Sequence, residues 1–275
     1  MNIYFLSQII RSITFFFIAN IIFCLCALWI AGANQGDVIA YIGPKPHTNW
    51  FENHMAINLY DVRTKAITSI TTLDLYPHLF SWSPNGEYIG VIARSYGNIN
   101  NQIGLYVMDS DGKNTRLISG NLSVVIASER PPFWSSDNRN MVFQATQQGG
   151  NVVQFYKGYL DGTSPELIDL SHPLAQAYIQ NFFPSYQTSP NGLYRVLVDY
   201  RDNEWGLYVV IEEKQEKIYP LSAETIMPDA ADWSPDNRLI AFSQRENRIP
   251  MISVITITGD VVFQIEQGRY PLWKP

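Results

Sequence analysis

The phrase Trp-Ser-Pro-(Asp/Asn)-(Gly/Asn) recurs along the chain, and this recurrence constrains the fold more than any other feature. It stands at 82–86 and 233–237, with altered copies at 134–138 and 188–192 and a fragment at 273–275. Self-similarity with a period of roughly 40 to 50 residues is typical of solenoids, propellers and repeat arrays. Proline presets the backbone, and Asn, Asp or Gly tolerates the left-handed conformation, so each copy predicts a tight turn between strands.

An apolar strand follows each copy, and after a polar loop comes a strand of alternating polarity, five times in all. Four short antiparallel strands per unit are typical of a propeller blade. The first unit, at 37–41, lacks a preceding Trp strand, whereas the last residues, 270–275, form a Trp strand with no unit after it. We therefore predict an all-β fold: a five-bladed β-propeller of four-stranded antiparallel blades, closed when Trp273 pairs beside Ile39. An open array is the alternative.

The segment from Trp82 to Gly120 is the clearest copy, ending in Leu-Tyr-Val-Met-Asp-Ser-Asp-Gly at 105–112. It resembles the TolB-type WD-like propeller repeat family, and the likeness extends over roughly 37–275. The resemblance implies a propeller domain at 34–275. TolB itself joins a six-bladed propeller to an N-terminal α/β domain, and neither a sixth repeat nor that domain is visible in this sequence. The resemblance therefore implies a fold and not TolB's role in an envelope complex.

The first 33 residues belong to a different physical class. Residues 13–33 have Asn20 as their only strongly polar side chain, and the segment is long enough for one helix to cross a membrane. Arg11 on the N-terminal side predicts a cytoplasmic N-terminus and an extracytoplasmic propeller. Ala31-Gly32-Ala33 also fits a signal peptidase site, so the segment is either a signal anchor or a cleaved signal peptide of a periplasmic or secreted protein. Both cysteines lie inside it.

Composition and motifs exclude several classes of function. The net charge is -6 and no run of Lys or Arg occurs, which argues against nucleic-acid binding. No Gly-x-Ser-x-Gly or phosphate-loop motif is present. The histidines at 47, 54, 78 and 172 stand at irregular spacing in apparent loops, so we predict no metal site and no cofactor. The recurring Asp and Trp residues are interpreted as turn formers and packing residues.

Aromatic and arginine side chains collect in the loops after the second strands and in those between blades. The latter include 76–78 and 178–183. Such residues dominate binding hot spots, and loops on a rigid scaffold carry function. The predicted ligand-binding residues are His47, Trp50, Phe51, His54, Arg94, Tyr96, Arg130, Phe182, Arg201, Trp205 and Arg245. The alternative is that these rings plug the propeller's own channel.

The sequence therefore predicts an exported, non-catalytic propeller whose loop face binds a protein or cell-envelope ligand, with the membrane reached through the N-terminal helix. One alternative is a propeller glycan hydrolase, a lyase or another hydrolase, which needs two converging carboxylates or a His and an acid. The residues that could supply them are Glu52, His54, Asp199, Asp202 and Glu204. Another alternative is a membrane-anchored assembly or sensory module.

Overall fold

The computed structural model describes residues 37–46, 55–71, 74–95, 102–126, 130–181, 186–201, 203–211, 214–221 and 231–275. Outside these ranges lie the predicted helix at 13–33, three of the residues considered for catalysis, Glu52, His54 and Asp202, and six of the predicted binding residues: His47, Trp50, Phe51, His54, Tyr96 and Phe182.

The strands of the described residues form five antiparallel sheets. Sheet A contains β1 (Val38–Pro44), β2 (Met55–Asp61), β3 (Ile67–Ser69) and β21 (Arg269–Trp273), and sheet B contains β4 (Leu75–Trp82), β5 (Tyr88–Ser95), β6 (Ile103–Asp109) and β7 (Arg116–Leu117). Sheet C contains β8 (Ser123–Val124), β9 (Phe133–Trp134), β10 (Asn140–Thr146), β11 (Gln154–Tyr159) and β12 (Glu166–Ile168). Sheet D contains β13 (Tyr186–Thr188), β14 (Arg195–Arg201), β15 (Glu204–Ile211) and β16 (Lys214–Pro220), and sheet E contains β17 (Asp232–Trp233), β18 (Leu239–Glu246), β19 (Ile249–Thr256) and β20 (Val261–Glu266).

The C-terminal strand completes the sheet that the first strands begin. β21 runs antiparallel to β1, with Trp273 opposite Ile39 and Leu272 opposite Ala40. This is the pairing that the sequence predicts for the Trp fragment at 273–275. It covers the edge of β1, so the unpaired N–H and C=O groups of that strand find partners within the chain.

Each copy of the repeat phrase folds into the same hydrogen-bonded turn. In the first copy, the backbone N–H of Ser83 donates to the carbonyl of Tyr88 at 2.9 Å, and the N–H of Tyr88 donates to Ser83 Oγ at 2.9 Å. The same pair of bonds recurs at Ser135, Ser189 and Ser234. The fifth residue of each copy has a positive φ of 60° to 74°, which explains why only Gly or Asn stands there: Gly86, Asn138, Gly192 and Asn237.

The hydrophobic core is divided into clusters that each join two neighbouring sheets. Clusters lie between sheets A and B, B and C, D and E, and E and A. Three of them contain a repeat tryptophan that is at most 5% exposed: Trp134, Trp233 and Trp273. Sheet packing therefore accounts for the recurrence of tryptophan, as the sequence predicts.

A helix stands where the sequence predicts a loop. α1 (Pro173–Asn181) begins at a proline, a residue suited to the first helical position. Its Ala175 and Tyr178 pack against Val142 and Ile168 of sheet C. The prediction of a loop from residue 178 onward was wrong for 178–181, because Tyr178 is buried on this sheet at 3% exposure.

The segment 76–78, also predicted as a loop, lies inside β4. The strand stays paired with β5 through Tyr76 and Pro77, and a bulge between Pro77 and Leu79 contains His78. A bulge re-aims side chains without ending the strand, so the loop prediction was wrong here as well.

Candidate functional site at the centre of the sheets

The first strands of four sheets surround a cavity of about 390 Å³. It is lined by residues in or beside β4, β9, β17 and β21, together with Tyr178 of α1. These strands stand at the edges of sheets B, C, E and A, so the cavity lies where the sheets converge. The lining is mostly aromatic and proline side chains: Trp82, Pro84, Pro131, Pro132, Phe133, Trp134, Tyr178, Trp273 and Pro275.

Indole hydrogen bonds align neighbouring first strands with one another. Trp82 Nε1 donates to the carbonyl of Leu272 at 3.4 Å, and Trp134 Nε1 donates to that of Ser81 at 3.4 Å. Trp233 Nε1 donates to the carbonyl of Gln187 at 3.1 Å. Each acceptor stands one residue before the Trp position of the neighbouring repeat. Residues at the same position in neighbouring repeats therefore lie at the same height along the first strands.

The junction between sheets E and A departs from this pattern. Trp273 is 4% exposed, and its buried Nε1 has no hydrogen-bond partner. Instead, the backbone N–H of Trp273 donates to Asp232 Oδ2 at 2.7 Å. Burial raises the pKa of Asp232 to about 7, although the backbone N–H groups of Trp273 and Trp233 act in the opposite direction. A titratable acid and an unused indole donor therefore both line the cavity.

The first strands around the cavity have two ends of different character. We call the end formed by the repeat turns, such as 83–86, the turn end. At the opposite end, the first strands begin and the second strands finish, and we call it the loop end. There Tyr76 of β4 lies opposite Arg94 of β5, and the rings of Tyr76 and His78 lie 5.2 Å apart between centroids.

Positive charge surrounds His78 at the loop end. Burial lowers the pKa of His78, and the nearby positive charges of Arg94 and Arg269 lower it further. His78 Nε2 and Arg94 Nε are buried and have no hydrogen-bond partner. The Arg269 guanidinium lies 5.3 Å from the ring centroid of Tyr270. Two arginines and a histidine from three strands therefore meet in one place.

The five described residues of the predicted binding face do not form one group, although Arg201 and Trp205 share the hairpin of β14 and β15. Arg130 stacks over Tyr178 at 5.6 Å, and Arg245 is exposed at the end of β18. Arg201 lies 4.3 Å over the ring of Tyr208. Trp205 is partly buried and packs against the core between sheets D and E.

Arg94 is the predicted binding residue that lies with His78 and Arg269. Neither His78 nor Arg269 is among the predicted binding residues. A signal for them existed, since both stand four residues before a repeat tryptophan, Trp82 or Trp273. A histidine or an arginine at this position does not resemble any catalytic motif. Their grouping depends on how the strands are brought side by side.

The acids considered for catalysis do not converge among the described residues. Asp199 pairs with Arg201, Nε to Oδ2, at 2.7 Å, and this hydrogen bond lowers the pKa of Asp199. Glu204 pairs with Lys217 on the adjacent strand. In the described ranges, no three His, Cys, Asp or Glu side chains come close enough to hold a metal ion. No described contact favours the hydrolase or lyase alternative.

A comparison of the sequence with models of protein families identifies the family of this chain. The family model of the TolB β-propeller domain matches residues 33–275. The chain belongs to the TolB β-propeller domain family. A search of curated protein sequences gives no match.

Solved structures with a similar arrangement include TolB from Acinetobacter baumannii, at 17% identity and a TM-score of 0.38, with 88% of this chain and 68% of that chain covered. An oligogalacturonate lyase from Vibrio parahaemolyticus is similar at 16% identity and a TM-score of 0.33, over 72% of this chain and 53% of that one. A prolyl endopeptidase structure is similar at 10% identity and a TM-score of 0.38, over 85% and 42%. These likenesses are too weak to decide function, and family membership rests on the sequence model.

In the part of the TolB-type chain that the structure describes, no helix has both the length and the apolar content needed to cross a membrane. The predicted helix at 13–33 lies outside that part and stays a prediction.

Proposed function

We propose that this chain is an exported, five-bladed β-propeller, closed by its C-terminal strand, that binds a protein or cell-envelope ligand at its loop end without catalysing a reaction. The observation that carries the proposal is the contrast between the two ends. The polar side chains of the turn end are used in repeated turns, whereas Arg94 and His78 at the loop end have buried polar atoms without a partner. Such groups on a rigid scaffold are suited to a ligand.

The proposed ring is supported by five sheets in the described residues and by the pairing of β21 with β1. Export is supported by the apolar segment at 13–33 and the small residues that follow. Whether that segment stays as an anchor decides between a membrane-bound and a periplasmic or secreted protein. It also decides whether the assembly or sensory role is open to this chain.

The proposal is tested by crosslinking the full chain in cells and identifying the captured partner by mass spectrometry. A variant with Trp50→Ala, Tyr96→Ala and Arg245→Ala removes two predicted loop-end residues together with the exposed Arg245. We expect this variant to lose the partner and to keep its melting temperature.

The matched control carries Leu117→Ala, Leu167→Ala and Val262→Ala, three exposed side chains on the fourth strands of sheets B, C and E. It should capture the partner as well as the unmodified chain does. A loop-end variant that is folded and still captures the same partner would contradict the proposal.

A further inference from the structure

Basic side chains occupy the same position in three repeats. His78, Arg130 and Arg269 each stand four residues before the tryptophan of their repeat, at 82, 134 and 273. The equivalent positions of the remaining two repeats are Pro184 and Asp229, which lie outside the described residues. Because the indole of Trp82 bonds to the carbonyl of Leu272 and so aligns the first strands of sheets A and B, this shared position puts His78 and Arg269 at one level of the loop end.

Arg94 adds a positive charge from the second strand of sheet B. It lies opposite Tyr76, whose ring contacts that of His78. The positive charges of Arg94 and Arg269 both lower the pKa of His78, in agreement with the alignment of sheets A and B at this level. Among the ion pairs of the described residues, none joins a carboxylate to His78 or Arg94.

His78 Nε2 and Arg94 Nε are unfavourably placed in the isolated chain, because a buried polar atom without a partner loses its hydration with no compensating bond. The positive charge of Arg94 also opposes the protonation of His78. The chain as a whole has a net charge of -6, so the positive end contrasts with the rest of the molecule. Unfavourable local arrangements that persist in a folded protein are concentrated at sites that a ligand completes.

We infer that His78, Arg94 and Arg269 form a binding site for an anionic group, a carboxylate or a phosphate, of the ligand held at the loop end. We call these three residues the cationic site. The inference rests on the proposed function, because it names the chemistry that the loop end recognises. Arginine presents a planar fork of N–H donors that matches the two oxygens of a carboxylate or phosphate, and His78 Nε2 can donate a further bond when it carries the proton.

The first experiment measures the melting temperature of the purified full-length chain in citrate, in phosphate and in chloride at equal ionic strength. Citrate and phosphate should raise the melting temperature in a saturable manner, since a ligand that binds only the folded state stabilises it. The anion that binds more tightly shows whether a carboxylate or a phosphate is preferred. Arg94→Gln and Arg269→Gln should each weaken this binding about tenfold or more, as expected for the loss of a charge-assisted hydrogen bond.

The matched control is Arg238→Gln. Arg238 lies at the turn end, where its highly exposed side chain pairs with Asp236 at 2.6 Å. This variant should bind citrate and phosphate as the unmodified chain does. In chloride, Arg94→Gln should melt at a higher temperature than the unmodified chain, because it removes like-charge repulsion. Equal stabilisation by citrate in the Arg94, Arg269 and Arg238 variants would overturn the inference.

A second readout follows the imidazole of His78 by NMR. An anion bound between Arg94 and Arg269 offsets their positive charge, so the pKa of His78 should rise when citrate is added. The other three histidines serve as internal references for bulk salt effects. An unchanged titration of His78 at saturating citrate and phosphate would also overturn the inference.

These experiments are separable from the test of the proposed function. If partner capture is unaffected by loop-end substitution while the cationic site binds anions, the loop end holds a small anion and the proposed partner role fails. If capture depends on the loop end and His78 does not respond to anions, the partner role stands and the cationic site fails.

Discussion

The turn end and the loop end of the first strands are parts of the same sheets but use their polar side chains differently. At the turn end, the Ser hydroxyl of each repeat accepts an N–H from a residue five positions later, as in Tyr88 to Ser83 at 2.9 Å and Leu239 to Ser234 at 2.9 Å. At the loop end, Arg94 and His78 have buried nitrogen atoms without partners. Polar groups that recur with the repeat thus serve the scaffold, whereas those left unsatisfied are available for binding.

The largest expected effect contrasts a repeat tryptophan with a loop-end tryptophan. Trp233 is 4% exposed in the core between sheets D and E, so Trp233→Ala should lower the free energy of unfolding by about 3–5 kcal/mol. Trp205 packs on the same cluster from its margin and is only partly buried, so Trp205→Ala should lower it by less. Urea denaturation of the two variants measures the difference. Equal losses would mean that the loop end is as much a part of the scaffold as the repeat.

The second prediction concerns the acid at the E–A junction. The pKa of Asp232 is about 7 in the folded chain against 3.8 ordinarily, so between these values the folded state keeps a proton that the unfolded state has lost. Stability should therefore fall as the pH rises from about 4 to 7, by a few kcal/mol in all.

Asp232→Asn should remove this slope and stabilise the chain at pH 7, since an amide oxygen can still accept the N–H of Trp273. Melting temperatures across the pH range, with Asp236→Asn at the turn end for comparison, provide the measurement. A slope that survives in Asp232→Asn would show that another group titrates there.

The third prediction has the opposite sign and belongs to the loop end. The pKa of His78 is lowered below 6.5 in the folded chain. As the pH falls, His78 is therefore protonated in the unfolded chain before it is protonated in the folded chain. Stability should therefore fall as the pH drops from 6.5 toward the folded pKa, and His78→Gln should remove that loss.

The effect of His78 overlaps the pH range of Asp232, so it is best measured with Asp232→Asn present in both chains. We expect a smaller effect than that of Asp232, because burial moves the pKa of Asp232 as far as about 7. The same acid-side slope in the presence and absence of His78 would contradict the description of the cationic site.

The smallest effect compares two asparagines with positive φ. Asn138 at the turn end has φ 60°, and its Oδ1 accepts the backbone N–H of Asn85 in the neighbouring repeat at 3.0 Å. Asn203 at the loop end has φ 66° and is exposed. Asn138→Gly should cost about 1 kcal/mol for the lost hydrogen bond, whereas Asn203→Gly should be neutral within about 0.5 kcal/mol. Thermal unfolding of both distinguishes them, and equal effects would argue against a stabilising bond between repeats.

The repeat made the turns predictable, because a turn is a local structure. Pro84 and Asn85 act on their own backbone neighbours, and the positive φ of Gly86 follows from residue type alone. The helix α1 was missed although Leu174, Ala175 and Tyr178 recur with helical spacing. The flanking segments alternate between apolar and polar residues, and that alternation predicted strands joined by loops. The stability of α1 comes from packing on sheet C, which is not a local property.

The candidate site was predictable only in part. Arg94 belongs to a loop-end group that its position after a second strand indicates, but His78 stands in a bulge of β4 that no residue pattern announces. Asp232 looks like any other acid next to a repeat tryptophan. Its raised pKa results from enclosure beside the C-terminal strand, and that strand arrives from 41 residues away in sequence.

The sequence by itself determined the repeat, the turn at each copy and the return of Trp273 to the first strand, because turn geometry and unpaired strand edges are properties of short segments. Only the tertiary structure decided that His78, Arg94 and Arg269 share one space and that Asp232 keeps its proton near neutrality. Charge interactions and desolvation depend on distance in space, and sequence separation does not report that distance.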